Sequence, residues 1–452
     1  MIGVIKNNKN LVIIASLLPA FFASPFLTFT RGAAGAITAS DITGLTLLMA
    51  LIFVPKAWRS PYRILPVKLL ISFFVVIAIS IWTMGLYYNI QGIEHTQNLR
   101  TSNSSLLPFL IASFRSIKLL TLFSYVVFYC LISFDERNIK CLIRTVIIGS
   151  IILAVAQIVT RFVILDLALA YGDTHGIYIG PRILGLTKAS VGRLLFIGAI
   201  LCLALMYKRK RIIYLFVLAI LASGLVLSGS RGGVIATIVS LFFISILGRE
   251  RGFMFGALGF FVLLLSAVYT LDYSPMMKER LLGTFDSSTL ETASTRTIIW
   301  DQALTNILQE PFVGILGVGA FNFSYADLPV NFEHAHNDFL TVLIELGIVG
   351  ELIFIFWVIC LIAYLYKAIK INKKEERWHS VCVFSLCVGL LFASLFESTF
   401  YPSISTIPML RIILPVLLVI LLSGYKKKYI LYHRKKANIK PRVINSDTVI
   451  RE

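Results

Sequence analysis

An all-α, polytopic membrane protein with about twelve transmembrane helices is the fold class this sequence predicts, and three observations carry it. First, only 14% of its 452 residues are charged and 58% are hydrophobic, with a mean hydropathy of +0.85. A soluble globular chain carries about 25% charged residues, so a water-soluble enzyme, a disordered chain and a fibrous chain are excluded. Second, apolar runs long enough to cross roughly 30 Å of hydrocarbon recur from end to end. Third, the excess of 42 Lys+Arg over 23 Asp+Glu, a net charge of +19, is gathered in short loops between those runs. That pattern is the orientation signal of a membrane protein and not the footprint of a nucleic-acid surface.

Taken in order, the runs lie at 11–29, 42–55, 67–88, 106–133, 141–165, 189–207, 212–228, 232–247, 252–271, 340–365, 379–396 and 406–423. The second is short enough to be tilted or re-entrant. With a cytoplasmic N-terminus, the inner loops hold Lys56/Arg59/Arg63/Lys68, Arg137/Lys140/Arg144, Lys208-Arg209-Lys210-Arg211, Arg249/Arg251 and Lys367/Lys370/Lys373/Lys374/Arg377. With the basic residues at the two ends of the chain, these make up more than half of the 42 cations. The alternation checks the count, because one missed span would break its phase. Both termini are then cytoplasmic. The whole chain, 1–452, reads as a single integral membrane domain, with a large outer loop at 272–339 and a basic cytoplasmic tail at 424–452. The first run is too long for a signal peptide and leads to no small-residue cleavage site. The six cysteines lie in or beside spans with neither metal-ligand spacing nor a disulfide framework, and read as small packing residues.

The outer loop is where composition changes. A helix is expected from Thr295 to Gln309, stopped by Pro311, with Trp300, Leu304, Ile307 and Leu308 on one apolar face. Gly314, Gly317 and Gly319 then read as a flexible turn region. The loop enters the tenth span through Glu333-His334-Ala335-His336-Asn337. Long ordered loops of this kind are usually functional.

The cations that break the charge rule carry the chemistry. Arg231 lies in Leu227-Ser228-Gly229-Ser230-Arg231-Gly232-Gly233, a tight turn whose glycines let a backbone approach a ligand. It suits either a snorkelling interfacial residue or a phosphate ligand, since the planar guanidinium fork matches phosphate oxygens. Arg296 lies near the start of the loop helix, where free N–H groups also favour an anion. Arg182 and Arg193 are further candidates of the same kind. Arg411 falls inside the last span, where an unpaired charge is costly, and Glu397 is the expected partner. His334 and His336 suit a general base, a loop-to-helix cap, or a metal pair on extended backbone. On a helix their spacing sets them about 200° apart, and no zinc motif such as H-E-x-x-H is present. The outer face thus offers fixed cations and a base, without a nucleophile triad or a nucleotide fingerprint. Such a site needs a donor that is already activated and has an anionic leaving group, as a lipid-linked pyrophosphate sugar has.

Three motifs in order resemble the O-antigen ligase/O-antigen polymerase superfamily: Leu-Ser-Gly-Ser-Arg231-Gly-Gly, Ser294-Thr295-Arg296-Thr-Ile-Ile-Trp300, and His334-Ala-His336-Asn337-Asp-Phe-Leu followed by Glu345-Leu-Gly347-Ile-Val-Gly350. The resemblance spans roughly 225–350. It implies a GT-C-like fold in the bacterial inner membrane, and glycan transfer on the periplasmic side from an undecaprenyl-pyrophosphate-linked donor. It also implies that Arg231, Arg296 and Arg182 hold the pyrophosphate and that His336 is the base, with His334 and Asn337 in secondary roles. No metal and no cofactor are implied. The acceptor is lipid A–core for a ligase or a second lipid-linked repeat for a polymerase of O-antigen, capsule or exopolysaccharide. The His-Asn-x9-Gly pattern leans to ligase. A secondary transporter or flippase is the reading from another class. It calls for coupled ionisable residues near the midplane, and the spans hold few: Arg115, Lys118, Arg161 and Arg411.

Overall fold

The structure is a computed structural model. It describes residues 9–22, 25–28, 36–52, 64–87, 90, 107–131, 136–160, 183–184, 186–206, 212–248, 259, 300–301, 304–305, 311–323, 335–372, 374–402 and 406–422. The expected run at 252–271 and the tail at 424–452 lie outside the described residues, apart from Gly259.

Eleven apolar helices fall on the other eleven runs. They are α1 (Lys9–Leu17), α2 (Ala39–Ile52), α3 (Leu65–Trp82), α4 (Leu107–Leu131), α5 (Glu136–Val159), α6 (Lys188–Met206), α7 (Ile212–Leu227) and α8 (Arg231–Gly248), then, after a short helix α9 (Pro311–Leu316), α10 (Asp338–Ile371), α11 (Lys374–Ser394) and α12 (Ile407–Leu422). Seven are long and apolar enough to cross a membrane: α3, extended to Tyr87, with α4, α5, α6, α8, α10 and α11. The remaining four, including α2, are shorter apolar helices of 10–17 residues, α1 being counted with the turn that carries it to Phe21. The protein is therefore a nearly all-helical, polytopic membrane protein.

The first run departs from expectation. Helix α1 gives way at Leu18 to a 3-10 turn ending at Phe21, and a small antiparallel pair, β1 (Pro25–Thr28) and β2 (Ala36–Thr38), follows. Proline is the physical reason: Pro19 lies in the first turn of the 3-10 helix without an N–H to donate, and Pro25 opens the extended strand β1.

Helix α6 is the hub. It packs against α5, α7, α8 and α11 and buries most of its surface. Small residues permit this closeness: a Cβ on Gly198 would come within 2.5 Å of the Ser150 side chain. Helix α8 runs along α11, and α10 packs on both α3 and α11. A second, small core gathers Val313, Val318, Phe323, Ala335 and Ile344, with Trp300 and Leu340 against it.

Helix α10 is broken at Gly347, whose φ of 65° is left-handed. The break leaves the Ile344 and Glu345 carbonyls to accept from the Val318 and Gly319 N–H groups, both at 2.9 Å. Gly317 and Gly319 also have positive φ, and a Cβ on Gly347 would come within 2.1 Å of the Ile315 carbonyl oxygen. The glycines expected in a flexible turn are a backbone-to-backbone clamp instead, since only residues lacking Cβ allow two chains so near.

Arg411 is fully buried, and its partner is Asp41 on α2 rather than Glu397. It also donates to Ser40 Oγ and Thr121 Oγ1, while Lys118 on α4 bonds Asp41 Oδ2 at 2.9 Å. Two cations therefore share one carboxylate between α2, α4 and α12. Removing one member of a buried pair costs about 3–5 kcal/mol. Asp41→Asn strands both cations, whereas Arg411→Met leaves the Lys118–Asp41 pair. Melting of the detergent-solubilised protein is expected to show a clearly larger fall in Tm for Asp41→Asn; equal falls would contradict the shared carboxylate.

Candidate functional site

The site is built at the end of the bundle opposite the basic loops, where α7 turns into α8 and where α10 begins. Helix α7 closes with the Ser228 Oγ donating to the Leu225 carbonyl at 2.7 Å, and Gly229 reverses the chain with a φ of 60°. Ser230 then caps α8, its Oγ accepting from the Gly233 N–H at 3.2 Å. Arg231 is thus the first residue of α8, half-buried at the helix mouth. The glycines that follow it make room for protein, not for a ligand. A Cβ on Gly232 would lie 2.9 Å from Glu397 Oε2, and one on Gly233 would lie 2.9 Å from the Gly192 backbone.

The second half of the site is the entry to α10. Asn337 caps the helix, its Oδ1 accepting from the Leu340 N–H at 3.2 Å. His336, half-buried, has a φ of 54°, a left-handed conformation that a non-glycine residue holds only when its surroundings fix it. Those surroundings are visible on both sides. Before it, Ala335 is fully buried and its carbonyl accepts the Trp300 indole N–H at 2.9 Å. After it, Asp338 is fully buried and accepts from the Thr399 N–H at 2.9 Å and the Phe400 N–H at 2.6 Å.

One short segment joins the two halves. Residues 397–401 link α11 to α12 without regular structure. Glu397 at their start faces Gly232, beside Arg231, and Thr399 and Phe400 hang on Asp338, two residues from His336. Arg193 of α6 fixes the segment from below. Its Nη1 donates to the Ser398 carbonyl and, at 2.9 Å, to Thr399 Oγ1, and lies 3.8 Å from Glu397 Oε2. Arg193, expected as an anion ligand, and Glu397, expected to face Arg411, are therefore partners of each other in holding this connection.

The clamp behind the site uses a second buried carboxyl. Glu345 accepts from the Phe321 N–H at 2.6 Å and the Phe323 N–H at 3.2 Å, and from the Tyr401 hydroxyl. Burial and the neighbouring Glu345 hold the Tyr401 phenol well above its ordinary range, so it remains a donor. Arg115 bonds Asn322 Oδ1 at 2.6 Å and lies over the Phe321 ring. Asp338, Glu345 and Tyr401 were not singled out as a group in the sequence. Their signal was the presence of acids in an apolar span, which marks a site by default.

Arg296, Arg182 and His334 lie outside the described residues. Of the expected loop helix, Trp300–Asp301 and Leu304–Thr305 are described and helical. Trp300 faces the protein, while Leu304, expected on the same apolar face, is exposed. Pro311 does not merely end that helix but begins α9. Among the described residues, no three His, Cys, Asp or Glu side chains converge as metal ligands.

No curated protein matches the chain. Residues 216–355 match the family model described as O-antigen ligase. The matched stretch opens inside α7 and closes on α10, so it contains the Arg231 turn, the His336-Asn337 entry and the break at Gly347. Over residues 216–355, which hold all three motifs, the chain is therefore similar to the O-antigen ligase family.

Proposed function

We propose that the protein transfers a glycan from an undecaprenyl-pyrophosphate-linked donor to an acceptor hydroxyl, most simply as an O-antigen ligase acting on lipid A–core. In this reading it has a GT-C-like fold with about twelve spans in the bacterial inner membrane. Both termini are cytoplasmic, and the site faces the periplasm. One observation carries the proposal: within the stretch matched by the O-antigen ligase family, the turn bearing Arg231 and the entry bearing His336 are tied to the same five-residue segment, 397–401.

His336 takes the proton from the acceptor hydroxyl as its oxygen attacks the anomeric carbon. The bond from that carbon to the pyrophosphate oxygen breaks, and undecaprenyl pyrophosphate leaves. Arg231, with Arg296 and Arg182, neutralises the charge that develops on the leaving group. Arg296 lies four residues before Trp300 in the sequence, and Trp300 bonds the residue next to His336. His334 and Asn337 support the base, Asn337 by capping the helix that presents it.

His336→Ala is expected to abolish transfer while leaving protein level and donor binding near normal. A charge-assisted hydrogen bond to phosphate is worth roughly 1.5–3 kcal/mol, so Arg231→Lys, which keeps the charge but loses the fork, should lose about 10- to 100-fold in activity. Transfer assays on purified protein with a lipid-linked donor check both, and full activity in either variant removes that residue from its role.

Arginine charge fills the part that a divalent metal fills in other transferases. Purified protein in excess chelator is therefore expected to retain transfer, and strict dependence on added Mg²⁺ or Mn²⁺ would contradict the arginine clamp.

Deletion of the gene separates ligase from polymerase, since both break the same sugar–pyrophosphate bond. A ligase predicts bare lipid A–core with polymer retained on undecaprenyl pyrophosphate. Core capped by one repeat would assign a polymerase, and intact lipopolysaccharide with a lost capsule or secreted polysaccharide would assign an exopolysaccharide polymerase.

A further inference from the structure

The stretch between the ninth run and α10 reads in sequence as one extramembrane loop, 272–339. The contacts of residues 311–323 place that part of it elsewhere. The Ala320 N–H donates to Ser80 Oγ at 2.9 Å, and Asn322 Nδ2 donates to the Gly85 carbonyl at 2.9 Å. Both partners belong to the α3 span, Leu65–Tyr87, whose last charge on the basic side is Lys68. Ser80 is twelve residues above Lys68, about 18 Å along a helix, and Gly85 lies just past the C-cap at Thr83. The height of Ser80 falls inside a hydrocarbon core of roughly 30 Å. From the other side, Arg115, well inside the α4 span Pro108–Cys130, reaches Asn322.

The backbone of this turn is satisfied as membrane-depth backbone must be. Val318 and Gly319 donate to α10 carbonyls, Phe321 and Phe323 to Glu345, and Ala320 to Ser80. The outward face is the opposite in character. Phe312 is 65% exposed and Ile315 50%, with Leu316 beside them. Ile315 abuts Gly347, and the next residues of α10, Ile348, Val349 and Leu352, are also exposed and apolar. The α9 face therefore continues the lipid-facing stripe of a membrane-crossing helix. Water would meet three large apolar side chains there, whereas acyl chains meet a surface of their own kind.

We propose that residues 311–323 are a re-entrant membrane element: α9 lies in the leaflet opposite the basic loops with Phe312, Ile315 and Leu316 against bilayer acyl chains, and the turn after it enters the bundle below the helix ends. The proposal is independent of which reaction the protein catalyses. It makes the region before the His336 entry part membrane and part loop, anchored by Glu345 from within.

Spin labels on Phe312→Cys, Ile315→Cys and Leu316→Cys test it in proteoliposomes of the full chain. Leu352→Cys serves as a lipid-facing reference and Asp301→Cys as an exposed loop reference. The unsubstituted protein, labelled identically, gives the background of its six native cysteines. Power saturation is expected to show the α9 labels relaxed by oxygen far more than by a water-soluble nickel chelate, as at Leu352, with the opposite order at Asp301. Nickel-dominated relaxation at all three α9 positions would overturn the proposal by placing α9 in water. Weak relaxation by both agents would overturn it too, by placing another protein surface over α9. The three positions report on one face, so failure of Phe312→Cys to fold leaves two that decide the question.

Discussion

The buried carboxylate of Asp338 is the interaction on which the rest of the site depends. Residues 397–401 have no helix or strand to satisfy their backbone, and they lie in the interior of a membrane protein. A buried N–H left without a partner costs about 1–3 kcal/mol, so an irregular segment here needs acceptors brought to it. Asp338 supplies them for Thr399 and Phe400, and Arg193 supplies a donor for the Ser398 carbonyl. Glu345 does the same for the turn at Phe321–Phe323. Two carboxyls from one helix thus stabilise two irregular segments, which meet where Glu345 accepts from both the Phe321 N–H and the Tyr401 hydroxyl, where a soluble enzyme would use water or a sheet edge.

That arrangement explains the conformation of His336. A left-handed non-glycine residue is less stable by of order 1–3 kcal/mol, and it persists only when both neighbours are fixed. Ala335 is fixed by Trp300 and by burial in the smaller core. Asp338 is fixed by the segment it holds. Between them the chain has one way to turn into α10, and Asn337 closes the first turn of that helix. The backbone that presents His336 is consequently set by contacts on both sides of it, one from Trp300 and one from the α11–α12 connection.

Much of this was legible in the sequence, and the failures have physical causes. Composition and run length reveal helices wherever side chains meet lipid, so eleven of the expected runs carry one. The first run misled because hydropathy does not register that Pro19 and Pro25 end helical hydrogen bonding within an apolar stretch. Glu397 was matched to Arg411 because both lie close in sequence near one membrane face. Its partner is Arg193, some two hundred residues away, and local reading contains no information on such a pairing. The glycines at 317, 319 and 347 were visible, but not that they face one another, and glycine alone does not distinguish a loose turn from a tight clamp. Arg231 and the His336 entry were found because charge and histidine at a span mouth stand out against apolar sequence. Asp338 and Glu345 were harder to rank, since their importance lies in the backbone groups that they reach.

Helix α7 has a consequence of its own. Its 16 residues make about 24 Å of helix, roughly 6 Å less than an average hydrocarbon core. Its neighbour in length, α12, is enclosed by protein, but α7 exposes Ile212, Ile213, Leu215 and Phe216. Large apolar side chains exposed on a membrane helix meet acyl chains rather than water. The exposed residues all lie in the first half of α7, whereas Leu221, Leu225 and Val226 in its second half are buried, so the Ser228–Ser230 turn and Arg231 stand on a protein-packed end of the helix and the lipid contact is made at the basic-loop end.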